Sequence, residues 1–128
     1  MISLGSSATA GAYRPRTVII GLGDIYVQIP HRQVAEGVMT EASRHAQAED
    51  GCLSFTFAEV LEEPGHFVVL ERWNDERAIE RHYRSPAFAD YQRSIARLLV
   101  RESEYRLHRV QDTSHPVDSV RIVTDQDD

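Results

Sequence analysis

Apolar and polar positions change period several times along this chain. From Thr17 to Ile29 the residues are β-branched and apolar, Pro30 closes the run, and the pattern predicts a long strand. Val18, Ile20, Leu22 and Tyr26 fall on one face of it; Ile19, Ile25, Val27 and Ile29 fall on the other. Gly21 and Gly23 interrupt the run and mark a bulge or a close backbone approach. From His31 to Ala48 the spacing turns helical, with Val34, Val38, Ala42 and His45 on one side and Gly51 as the stop. Leu53, Phe55, Phe57, Glu59 and Leu61 then alternate. The turn residues Glu62-Glu63-Pro64-Gly65 and a strand from Phe67 to Trp73 complete a hairpin. Asn74 reads as the N-cap of a short helix ending near Arg84. Ser85 caps the next, with Pro86 at its first position and Phe88, Tyr91, Ile95, Leu98 and Leu99 as its stripe. Glu104 to Val110 is a last strand.

Strand, helix, two strands, paired helices, strand is the split βαββαβ order. It predicts an α+β, ferredoxin-like domain with a four-stranded antiparallel sheet. The domain spans 17–110, between a small-residue, polar N-terminal arm at 1–16 and an acidic C-terminal tail at 111–128. A short Val120–Val123 segment in that tail is an optional strand.

One helical layer covers only one face of such a sheet, yet both faces of the expected central strands are apolar. Val68 and Leu70 oppose Val69 and Trp73, as the two sets of the first strand oppose each other. An apolar face of that kind calls for a partner, and packing two sheets about a two-fold axis answers it with a homodimer.

Composition then removes whole classes of function. At 128 residues and a net charge of −6, the chain is one domain with no nucleic-acid surface. All 14 basic residues are arginine, so lysine Schiff-base and P-loop chemistry are absent. Cys52 is the single cysteine, which excludes an intrachain disulfide or thiolate cluster and fits a reducing, cytoplasmic setting. No run is long enough for a membrane span, and the N-terminus lacks a signal-peptide pattern. The six histidines show no metal-binding spacing, so no metal and no cofactor is expected.

Several side chains could carry chemistry. His82 follows Ala78 by four and Ile79 by three, so it points to the apolar side of its helix. It is either a core histidine or a base in a cavity between helix and sheet. Trp73 is a core residue or a flat wall for a planar ligand. Glu71 shares the face of Val69 and Trp73; buried there it needs a partner, and Arg106 or Arg109 of the last strand could supply one. Tyr91 is core or a hydroxyl donor. Asp24, between Leu22 and Tyr26, is solvated at a sheet end or functional. Phe57 and Phe88 would add apolar walls.

The run HFVVLERWNDERAIERHYRSPAF at 66–88, with GCLSFTF at 51–57 before it, resembles the antibiotic biosynthesis monooxygenase family of dimeric α+β barrels. The resemblance covers about residues 17–110. It implies a homodimer with a pocket between sheet and helices in each subunit, the family tryptophan at Trp73 and a shared histidine at His82. Members include quinol and anthrone monooxygenases that use O2 without a cofactor, haem-degrading enzymes, and an isomerase of a phosphorylated sugar. The strand asparagine and histidine of the haem-degrading members fall on Asp24 and Tyr91, which differ from that pattern. The function implied is oxidation of a small electron-rich aromatic, quinol- or anthrone-like. Enolate isomerase or lyase chemistry in the same pocket, or a non-catalytic ligand-binding or stress-response dimer, are the alternatives. For an oxygenase, His82, Tyr91 and Asp24 are the catalytic candidates, and Trp73, Glu71, Phe57 and Phe88 the substrate-binding ones.

Overall fold

The computed structural model describes residues 17–114, so the arm, most of the tail and the Val120–Val123 segment lie outside the described residues. The elements are β1 (Ile19–Tyr26), a 3-10 turn (Ile29–His31), α1 (Arg32–Gln47), β2 (Cys52–Glu59), β3 (His66–Trp73), α2 (Glu76–Tyr83), α3 (Pro86–Ala96) and β4 (Glu104–Arg109). The strands form one sheet of order β2-β3-β1-β4, with every pairing antiparallel. This is the expected α+β ferredoxin-like architecture. No helix among the described residues is long and apolar enough to cross a membrane.

The central pair sets the faces. In the β1–β3 register Gly23 opposes Val69 and Asp24 opposes Val68. Cross-strand partners share a face. Ile19, Ile25, Phe67, Val69, Glu71 and Trp73 therefore lie together under the helices, all buried. Ile20, Leu22, Asp24, Tyr26, His66, Val68 and Leu70 lie on the other, uncovered face.

Several local expectations are corrected. Strand β1 stops at Tyr26, because Pro30 forces a 3-10 turn, and Ile29 is exposed instead of joining the core face. The buried residues of α1 are Ala35, Met39 and Ala46, with Val38 packed beside them, while Val34 is exposed. A stripe through Ala35, Val38, Met39, Ala42 and Ala46 meets the three-and-four spacing as well as one through Val34, and it lets α1 lie close to the sheet. Leu61 sits in the hairpin turn, almost fully exposed. The N-cap of α2 is Asp75, whose carboxylate accepts from the Ala78 N–H at 3.0 Å; the Asn74 N–H instead donates to the Gly51 carbonyl. Ser85 caps α3 as expected, accepting from the Phe88 N–H at 3.1 Å.

Candidate functional site

Between the covered face and helices α1–α3 lies a cavity of about 530 Å³. Its walls are largely apolar and aromatic: Phe55 and Phe57 from β2, Val69 from β3, Phe88 and Tyr91 from α3. Its polar groups come from several elements, with His82 and Glu71 at its buried inner end. That combination of an apolar container with convergent polar points is the usual make-up of a small-molecule site.

His82 is the first such point. It is 5% exposed, and its ring centroid lies 4.8 Å from that of Trp73, 5.0 Å from Phe88 and 5.5 Å from Phe55. Its Nδ1 is 2.7 Å from Oε1 of Glu49, which comes from the turn after α1. An ionised carboxylate can only accept, so Nδ1–H donates to it and the neutral ring keeps a lone pair on Nε2. Nε2 is buried and has no hydrogen-bond partner among the described residues. The pair has the geometry of an oriented base: one nitrogen fixed by a carboxylate, the other unengaged.

Glu71 is the second. It is 2% exposed, and its Oε1 accepts from the indole N–H of Trp73 at 2.7 Å. Neither arginine expected to pair with it does so: Arg106, opposite Leu22, lies on the uncovered face, and Arg109, opposite Ile19 at the end of edge strand β4, is exposed and bonds Glu76 of α2. The indole N–H takes that role instead. Tyr105 of β4 reaches across β1 to the same carboxylate. Gly21 makes this possible: a Cβ there would stand 2.7 Å from both Glu71 Cγ and the Tyr105 hydroxyl oxygen. Gly23 does the same beneath the Tyr105 ring, where a Cβ would meet Cδ1 at 2.9 Å. The two glycines mark a close approach, as their place in the strand suggested.

The phenols are kept as donors. Burial, and then the negative charge of Glu71, pushes the Tyr91 pKa far above its ordinary value. Tyr105 is driven up by the same two causes, and burial raises Tyr83 to about 12. The Tyr83 hydroxyl, like His82 Nε2, is buried without a partner among the described residues. Cys52 is not a thiolate: burial, then Glu49 and Glu71, raises its pKa to about 11.

Of the residues singled out in the sequence, His82, Tyr91, Glu71, Phe57 and Phe88 all line this cavity. Trp73 does not form its wall; it is fully buried behind Glu71 and His82, bonding one and packing on the other. Asp24 lies on the opposite face of the sheet, with Oδ1 2.8 Å from Nε2 of His66. Glu49, Tyr83 and Tyr105 are added by the fold. Glu49 reads locally as a polar helix exit, and only the packing of α2 against that turn brings His82 to it. Among the described residues, no group of three or more His, Cys, Asp or Glu side chains gathers in metal-binding geometry.

Known proteins share this architecture. A conserved protein from Methanosarcina mazei Go1 superposes with a TM-score of 0.71 at 22% identity, over 77% of this chain and 97% of its own. Rv0793 from Mycobacterium tuberculosis gives 0.71 at 21%, over 77% and 100%. At such identities the likeness shows the fold. In sequence, the chain is 23% identical over 95 residues to the uncharacterized protein sll1783 of Synechocystis sp.. That match takes in 74% of this chain and 65% of the relative, so it spans less than two thirds of the relative's length. The family model described as antibiotic biosynthesis monooxygenase matches residues 22–94, more than half of the chain. With the βαββαβ fold and the cavity behind that segment, the chain belongs to the antibiotic biosynthesis monooxygenase family.

Proposed function

We propose that the protein is a cofactor-independent monooxygenase that oxidises a small, electron-rich aromatic of quinol or anthrone type with O2. The observation that carries this reading is the Glu49–His82 pair, which leaves an unengaged imidazole nitrogen at an aromatic-walled cavity. His82 Nε2 takes the proton of the substrate's enol or phenol, and Glu49 stabilises the imidazolium that forms. The resulting anion passes one electron to O2. The carbon radical and superoxide combine into a peroxide, which takes up a proton and loses water to leave a carbonyl. Overall one CH2 and one O2 give one C=O and one H2O. Tyr91, protonated through the working range, is the donor to the substrate oxygen, and Phe57 and Phe88 clamp the ring. Excluding bulk water protects the anion and the peroxide from side reactions.

The reading includes a homodimer formed through the uncovered sheet face. Leu22 is 40% and Leu70 42% exposed there, at the centre of the sheet, beside half-buried Val68 and Ile20. Contiguous apolar surface on central strands is what a second sheet would cover.

The test is oxygen consumption with a panel of hydroquinones and anthrones. The expected result is one O2 consumed per carbonyl formed from an anthrone, with no added metal or flavin. Isomerisation of an enolisable ketone without oxygen uptake would favour the enolate-isomerase alternative. Ligand binding without turnover of any kind would favour a binding domain.

A further inference from the structure

The electrostatics of the cavity go beyond its shape. Among the described residues four carboxylates line it, Glu49, Glu71, Glu102 and Glu104, and no arginine does. Its two histidines, His82 and His45, each already face a carboxylate, at 2.7 Å from Glu49 and 3.2 Å from Glu41. Glu102 and Glu104 are exposed at the mouth, but an anionic ligand reaching the inner end would meet the buried Glu71 carboxylate with no arginine to offset it, which is unfavourable. Glu71 accepts from the Trp73 N–H and is reached by the Tyr105 hydroxyl, and the four lone-pair sites of a carboxylate still leave acceptor capacity on this almost fully buried group. The Tyr83 hydroxyl is buried beside that of Tyr105. Among the described residues the wall therefore presents carboxylate acceptors and no arginine.

We propose that Glu71 is the specificity-determining residue of this cavity. It accepts a hydrogen bond from a second hydroxyl of the substrate, beyond the one facing His82, and excludes ring systems that carry a carboxylate or phosphate. The ligand class is a neutral, fused-ring aromatic with at least two hydroxyls. This deepens the oxygenase reading and rests on the same cavity. Trp73 acts here as a positioning residue: its N–H holds the carboxylate in place from behind, away from the ligand.

Binding alone tests it, so the outcome does not depend on turnover. A dihydroxynaphthalene, its dimethyl ether and a hydroxynaphthoate are titrated calorimetrically into the wild-type protein and into Glu71→Gln. In the wild type the diol should bind at least about tenfold more tightly than the ether or the naphthoate, the scale of a hydrogen bond to a charged acceptor. Glu71→Gln keeps an amide oxygen to accept from the diol but removes the charge. The diol-to-naphthoate ratio should therefore fall by about tenfold, the diol-to-ether ratio much less. The wild-type arms stand by themselves should the variant fail to fold. The proposal is overturned if the naphthoate binds the wild type as tightly as the diol, if none of the three probes binds, or if a folded Glu71→Gln leaves the diol-to-naphthoate ratio unchanged. Selective diol binding without oxygen consumption would overturn the oxygenase reading and leave this proposal standing; equal turnover of anionic and neutral substrates would do the reverse.

Discussion

The two faces of the sheet use polar groups in opposite ways. On the covered face Glu71 and His82 are almost fully buried among Phe55, Val69 and Ile79, Glu71 held by Trp73 and Tyr105 and His82 by Glu49. On the uncovered face the apolar residues Leu22 and Leu70 are exposed. The polar ones there sit in a partly open cluster: Asp24 on His66, His66 stacked on Tyr26 at 4.4 Å, and Arg101 over the Tyr26 ring at 3.7 Å. Buried polar groups in an apolar container are costly unless they are paired, and paired ones that converge on a cavity with a nitrogen left over are what a reaction site requires. Exposed apolar residues on a flat sheet are costly unless they are covered, and that is why the other face reads as an interface.

The comparison is broken most forcefully on the uncovered face. Val68→Asp puts a carboxylate at the centre of the proposed dimer contact. It should weaken association by several kcal/mol while leaving the monomer's covered core intact. Sedimentation at micromolar concentration reads this directly, and a monomeric wild type would remove the interface altogether.

A smaller effect is expected behind the cavity. Trp73→Phe retains most of the ring packing but deletes the N–H that Glu71 accepts. Taking the indole donor from this buried carboxylate should cost about 2 kcal/mol in denaturant unfolding. A loss no greater than that of a typical exposed substitution would mean that Tyr105 or water already satisfies Glu71.

The smallest effect is pH-dependent. The Asp24 hydrogen bond, ahead of Glu63, raises the His66 pKa above its ordinary 6.5. A raised histidine contributes stability that is fully present below 6.5 and is lost as pH rises through the folded-state pKa. Asp24→Asn should thus be less stable than the wild type on the acid side by under about 1 kcal/mol, and equal to it on the alkaline side. Resonances of the His66 ring should titrate at lower pH in the variant. An unchanged titration would mean that Glu63, not Asp24, raises the His66 pKa.

How far the sequence foretold this depends on the range of the interaction. Element order, the direction of His82 on α2 and the Ser85-Pro86 restart are local signals, and the fold follows them. The alternation within β1 correctly put Asp24 with Leu22 and Tyr26. Which face of β1 joins which face of β3 is decided by pairing register, and no local pattern encodes the match of Gly23 with Val69 that carries Asp24 away from His82. In α1 the expected stripe keeps Val38 and Ala42 but yields Val34 and His45 to Ala35, Met39 and Ala46, because alanines weigh little in a hydrophobic pattern yet pack most closely. Glu49 and Tyr105 are partners across more than thirty residues of chain, one meeting His82 and the other Glu71. Only the glycines at 21 and 23 hinted at the second.

The central claim is that the covered face is the reacting one and that His82 is its base. The most direct measurement is the oxygen-consumption rate of His82→Ala against the wild type, with an anthrone that the wild type turns over. Circular dichroism and sedimentation would confirm an unchanged fold and assembly. The account predicts a rate lower by roughly 10²–10⁴, the scale of losing a positioned acid–base group. A folded His82→Ala protein with full activity would contradict it.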